Sequence, residues 1–199
     1  PVPALRQMLS EAVLSQFDVT FVSGREFGAE ELDQYKSIVF IGINEVSTGL
    51  QEKLRGHLQS GKSILYFPGP ELDLASTNRF FQSLELGTFS EVVVREEGQY
   101  AAGVDLEHPV FEGVFVGEKS QRNFDGPLVY RHYPFRPSNG IIQSTILRLE
   151  NQDPVLVESR PEGGFFYTFT LYPGANWTDF TIKSSGLAMV VQIVRIMNQ

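Results

Sequence analysis

Ile38-Val39-Phe40-Ile41-Gly42-Ile43 and Ser63-Ile64-Leu65-Tyr66-Phe67-Pro68-Gly69-Pro70 decide how this chain folds. Neither apolar run has a polar face, which marks strands covered on both sides in a parallel sheet. Between them, Thr48-x-x-Gln51 forms a capping-box pattern, Leu50, Leu54 and Leu58 recur at steps of four, and Gly61 supplies a stop. Strand, helix and strand in that order call for a right-handed crossover.

Working outward, Leu5, Met8, Leu9, Ala12 and Val13 line one helical stripe, and Phe17 to Val22 alternates as a strand would. Glu30 to Tyr35 reads as a short helical turn, and Asn78 to Leu84 as a helix with Phe80, Phe81 and Leu84 inward. The expected class is therefore α/β, a doubly wound and mostly parallel sheet. From about residue 88 to 160 the pattern changes. Val92-Val93-Val94, Tyr100-Ala101-Ala102, Leu128-Val129-Tyr130, Thr145-Ile146-Leu147 and Val155-Leu156-Val157 are short pieces between turn residues, predicting an antiparallel β extension. Phe165 to Leu171 is expected to rejoin the main sheet, and Leu187, Val190, Val191 and Val194 to form a closing helix. Residues 1–199 read as a single α/β domain containing that extension.

Composition narrows the function. The 199 residues carry 24 acidic and 16 basic side chains, a net charge of −8, which argues against nucleic acid as a partner and favours faster association with cationic ones. Arg131, Arg136 and Arg148 are too scattered to line a groove. With no cysteine there is no thiolate nucleophile, disulfide or thiolate metal site. The first residue is Pro1, so the chain reads as a piece of something longer, and the apolar stretch around Leu187 to Val194 is too short to span a bilayer.

In open α/β sheets a ligand sits beyond the carboxyl ends of the parallel strands. That criterion gathers Asn44, Glu45, Glu71, Asp73, Asn78, Trp177 and Asp179 as candidates for holding a small polar ligand. The competing reading makes the Asp and Asn residues caps of helices and turns, and Trp177 a rim aromatic. His57 reads as a surface or boundary residue, His108 as a loop residue before Pro109, and His132 as one position on an amphipathic strand. No HxH or HExxH spacing supports a metal, no GxSxG supports a serine nucleophile, and no GxGxxG or GxxxxGK[ST] supports a nucleotide. Neither a catalytic residue nor a cofactor is expected. Asn176-Trp177-Thr178 matches a glycosylation acceptor pattern, which has meaning only in a secreted eukaryotic protein.

The stretch Gly61 to Gly69 resembles the GGxLLxFPG segment of class I glutamine-amidotransferase-like domains. Phe67-Pro68-Gly69 with Asn78, Glu107-His108-Pro109-Val110-Phe111-Glu112-Gly113-Val114-Phe115, Asp153-Pro154-Val155-Leu156, Gly163-Gly164 and Asn176-Trp177-Thr178-Asp179-Phe180 together resemble the extracytoplasmic domain of BatA-type (aerotolerance regulator) bacterial membrane proteins. A histidine-proline segment also occurs in trehalose-utilisation-like relatives of this fold. The resemblance implies that Pro68, Gly69 and Pro70 stand where active amidotransferases present a cysteine, so their catalytic residues do not carry over. It further implies a non-catalytic ligand-binding or protein-assembly domain, placed outside the cytoplasm on a membrane-anchored envelope protein. Two alternatives stand beside it. One is a carboxylate- or metal-dependent hydrolase or carbohydrate-active enzyme using Glu71, Asp73 and Asp179. The other is a homodimerising scaffold with an exposed sheet edge or an aromatic loop of Phe124, Tyr133 and Phe135.

Overall fold

A computed structural model of the chain describes residues 17–23, 27, 32–112 and 124–199. The first expected helix, Leu5 to Val13, lies outside them. After a 3-10 turn at Leu32–Gln34 come β1 (Ser37–Ile43), α1 (Thr48–Gln59), β2 (Ser63–Pro68) and α2 (Leu74–Ser83). There follow β3 (Gly87–Phe89), β4 (Val93–Val104), a second 3-10 turn (Pro109–Phe111), β5 (Leu128–His132) and β6 (Phe135–Pro137). The chain closes with β7 (Gln143–Leu149), β8 (Pro154–Ser159), β9 (Phe166–Phe169) and α3 (Ser184–Met197).

The local signals account for most of these elements. Every residue of β2 is buried, as an apolar run with no polar face requires. The α1 cap lies one residue earlier than its pattern implied: the Ser47 hydroxyl accepts from Leu50 N–H, and the Gln51 amide donates back to the Val46 carbonyl. Gly61, at φ +74°, ends that helix in the left-handed region where a side chain would be strained. Helix α2 starts four residues before Asn78 because Asp73 caps it, its carboxylate accepting from Ser76 N–H at 2.7 Å. Residues 17–23 carry no strand, contrary to the alternation of Phe17 to Val22.

Seven strands form one mixed sheet in the order β1-β2-β9-β8-β7-β4-β5, and β3 pairs with β6 separately. Among the described residues only β1, β2 and β9 run parallel. The α/β class holds and the stretch from about 88 to 160 is antiparallel β as expected, but the mostly parallel, doubly wound sheet is corrected to a mixed one: β4, β5, β7 and β8 join the main sheet, while β6 pairs with β3. The reason lies in the connections. Short turns link β7 to β8 and β8 to β9, with Gln152 at φ 73°, Glu162 at φ 54° and Gly163 at φ 99°, and such short links can only join antiparallel neighbours. Phe166 to Phe169 does rejoin the sheet, between β2 and β8.

Adjacent residues of a strand point to opposite faces. On one face of β2, Tyr66 meets Phe81 of α2 at 5.3 Å between ring centroids, and Phe80 lies against Phe166. A gap on this face is lined by Phe40, Ile43, Val46, Leu50, Leu54, Tyr66, Phe80 and Phe166, an apolar interior rather than a polar crevice. On the other face Phe67 stacks on Phe169 at 4.2 Å and 7°, and Phe180, just before α3, closes edge-on against both. Offset and edge contacts of this kind add to area burial.

Candidate functional site

Strands β1 and β2 end side by side, and the chain leaving β2 turns back over the end of β1. Gly69 N–H donates to the Ile43 carbonyl at 2.8 Å, Asp73 N–H to the Asn44 carbonyl at 2.7 Å, and Glu71 N–H to the Asn44 side-chain oxygen at 3.0 Å. A Cβ at Gly69 would overlap Asn44 Oδ1, so only glycine permits this approach. Tyr133, directly after β5, reaches the same turn: its hydroxyl donates to the Gly69 carbonyl at 3.0 Å and accepts from Leu72 N–H at 3.2 Å. Burial pushes the Tyr133 phenol up, and the nearby Glu91 and Glu71 charges add to this, so it stays a protonated donor. Trp177 packs on Tyr133 at 5.2 Å and on Tyr172 at 6.1 Å, itself only 4% exposed. Backbone groups of the turn after β2 are thus engaged by Asn44, Tyr133 and the end of β1.

The sequence candidates separate into three places. Asn44, the Glu71 and Asp73 backbone, Trp177 and the Pro68-Gly69-Pro70 turn come together at this crevice, with the Glu45 and Glu71 side chains exposed beside it. The Asp73 carboxyl is held below the usual range chiefly by the hydrogen bond from Ser76 N–H. Asn78 lies instead between α2 and β3, accepting from Phe89 N–H at 2.7 Å and donating to the Phe89 carbonyl at 2.9 Å. Asp179 lies at the outer edge of β5. There its carboxylate accepts from Leu128 N–H at 2.7 Å, its own N–H returns to the Leu128 carbonyl, and Thr178 bridges to Val129. The segment 177–179 therefore covers an edge that would otherwise present unpaired backbone groups.

His57 departs from expectation, whereas His108 lies in the loop before Pro109 and His132 on strand β5, as their sequence context implies. His57 is only 1% exposed rather than a surface or boundary residue, and neither ring nitrogen has a partner in good hydrogen-bond geometry; burial, with the Lys62 charge, outweighs the nearby Ser63 and Leu32 backbone groups and pushes it down. His132 is buried on β5 and meets Asp153 at 2.9 Å, while Asn151 donates to the same carboxylate. His108 Nδ1 accepts from Val110 N–H, and Nε2 meets Glu158 on β8 at 3.2 Å. Tyr167 on β9 donates to the same Glu158 oxygen at 2.8 Å, and Arg160 approaches the other at 3.4 Å. Burial alone would raise the Glu158 carboxyl; the hydrogen bonds from His108 and Tyr167, with the Arg160 charge, reverse this and hold it below its ordinary range. Sequence reasoning missed this cluster, although an acid directly following Val155-Leu156-Val157 was its available signal.

Among the described residues no group of three or more histidine, aspartate or glutamate side chains could hold a metal ion. The aromatic loop considered for dimerisation is not exposed: Tyr133 and Phe135 are buried, and Phe124 packs edge-on against Phe111 at 5.7 Å.

No family model and no curated protein matches this chain. Solved structures do. The cytoplasmic protein STM3548 from Salmonella typhimurium superposes with a TM-score of 0.75 at 17% identity, covering 97% of this chain and 85% of that one. The cytoplasmic protein STM1381 from Salmonella typhimurium LT2 gives 0.76 at 14% identity, with 98% and 86% covered. A ThuA-like protein from Bacteroides uniformis ATCC 8492 gives 0.65 at 14% identity, with 99% and 86% covered. At these identities the likeness is one of fold. It overturns the resemblance to BatA-type domains and, with the mixed sheet, the amidotransferase-like assignment: the near full-length matches include cytoplasmic and ThuA-like proteins. The extracytoplasmic placement goes with it, and no helix among the described residues is long and apolar enough to cross a membrane.

Proposed function

We propose that this chain is a non-catalytic protein-assembly domain, acting through its surface rather than through a substrate pocket. The observation that supports it is the Tyr133 hydroxyl seated between the Gly69 carbonyl and Leu72 N–H, which joins β5 to the turn where an open α/β sheet would admit a ligand. Asn44 is spent on the same turn, and Asp73 and Asp179, two of the three acids that hydrolysis would call on, each hold a backbone N–H. Paired-carboxylate chemistry needs two acids facing one substrate, one of them able to carry a proton. A carboxyl held low by a helix N-terminus, as Asp73 is, makes a poor proton donor at neutral pH.

The test is turnover by purified protein against glutamine, simple amides, esters and aryl glycosides, with Asp73→Asn and Glu71→Gln as controls. The expected result is no rate that follows the protein through purification. A rate that co-purifies and is lost in either variant would overturn the proposal and restore the hydrolase.

A further inference from the structure

Strand β4 is twelve residues long, yet its ladder to β7 involves only Ala101 to Val104. On its other side it meets β5 at Val93 and Val94 and again, after a register shift that passes through Gly98 at φ 72°, at Gln99 and Tyr100; Glu91 and Val92 lead directly into the strand. From Val92 to Gly98 the edge away from β5 therefore has no strand beside it among the described residues. Val92 and Val94 are 38% and 53% exposed there, and Glu91, Arg95, Glu96 and Glu97 are exposed as well. An unpaired edge flanked by exposed valines is a template for another strand.

We propose that this edge pairs with the same edge of a second copy of the chain, antiparallel, with Val93 on the two-fold axis. This rests on the assembly reading above and names its surface. Symmetry limits the register. A two-fold axis perpendicular to the ribbon carries each side chain to the same face of the partner strand, so a symmetric antiparallel pair must set one residue opposite itself. With Arg95 or Glu96 on the axis, like charges face each other. With Val94 there, Val92 faces Glu96 and Val93 faces Arg95. Only with Val93 on the axis do the exposed side chains match: Val92 faces Val94 of the second copy on one face, twice over, and Glu91 faces Arg95 of the second copy on the other, also twice. Among the described residues neither Glu91 nor Arg95 forms an intramolecular ion pair, so both charges are available to the partner.

The experiment is sedimentation velocity of the whole chain across about a hundredfold range of concentration, because dimerisation follows mass action. Wild type is compared with Glu91→Arg, Arg95→Glu, the double exchange of both, and Val94→Lys. The expected result is a concentration-dependent dimer whose dissociation constant rises about tenfold or more in each single variant and recovers in the double exchange: each charge reversal sets two like-charge pairs across the axis, and Val94→Lys sets a charge against Val92 of the second copy, twice. All three substituted positions are exposed, and circular dichroism confirms that the four variants fold. A wild type monomeric throughout, or a dimer indifferent to charge reversal, overturns the β4 pairing. In the second case assembly stands on another surface, and in either case the turnover assays judge the non-catalytic reading separately.

Discussion

Tyr133 and Gly69, 64 residues apart, meet through a 3.0 Å hydrogen bond from the phenol to the glycine carbonyl. The same hydroxyl accepts from Leu72 N–H, so a single oxygen satisfies two backbone groups of the turn after β2. Tyr133→Phe removes both bonds and leaves buried polar groups unmatched. It should lower stability by about 1–3 kcal/mol in denaturant unfolding. A loss below a few tenths of that range would mean that water replaces the phenol and that the turn is less closed than described.

Gly69→Ala tests the same turn from the other side. The added methyl would overlap the Asn44 side-chain oxygen, which must then release Glu71 N–H. We expect a loss of about 1–3 kcal/mol, measured by thermal or denaturant unfolding. Asn44→Gly combined with Gly69→Ala should cost less than the sum of the two single changes, because the clash and the hydrogen bond it breaks share one partner. Strict additivity would refute the overlap.

His57 predicts a pH dependence with a definite sign. Its folded pKa lies below the ordinary 6.5, so as pH falls through 6.5 the unfolded chain takes up the proton first. The stability contribution of the neutral ring is complete above 6.5 and declines below it. His57→Leu should remove that part of the decline and, with no unpartnered nitrogen left to bury, leave the protein at least as stable at neutral pH. Unfolding free energies at several pH values between 5 and 8 check both points, using the window in which histidine titrates.

Glu158 carries a test of the same sign at lower pH. Its folded carboxyl lies below the ordinary 4.5, so its contribution is present above 4.5 and is lost as pH falls towards the folded value. Glu158→Ala strands His108 Nε2 and the Tyr167 hydroxyl and should cost about 2–4 kcal/mol at neutral pH. Glu158→Gln keeps an acceptor for Tyr167 and should fall between wild type and Ala. The Ala and Gln variants should both lack the share of acid sensitivity that this carboxyl supplies.

Asp179→Ala opens the edge of β5, since its carboxylate alone reaches Leu128 N–H. With that cover loosened, the expected outcome is faster aggregation near the unfolding midpoint, read by light scattering, more than a large change in the midpoint itself. If scattering matches wild type, segment 177–179 is not what guards this edge.

Much of this protein was legible in its residues alone. The all-apolar run of β2, the step-of-four leucines of α1 and the stop at Gly61 identify the parallel β-α-β unit because periodicity and left-handed backbone are properties of the local chain. The lack of cysteine likewise excludes a thiolate with no structure at all. The strand order was not legible. Nothing local tells β9 to enter between β2 and β8, about a hundred residues after β2, because that choice is made by the burial of Phe166 and Phe169 against side chains distant in sequence. The roles of polar residues were decided in the same way. Asn78 and Asp179 were grouped with Asn44 as polar residues beyond the ends of expected parallel strands, yet one clamps Phe89 and the other Leu128. A side chain is claimed by whichever unsatisfied backbone group the fold brings within 3 Å of it, and only the tertiary structure makes that assignment.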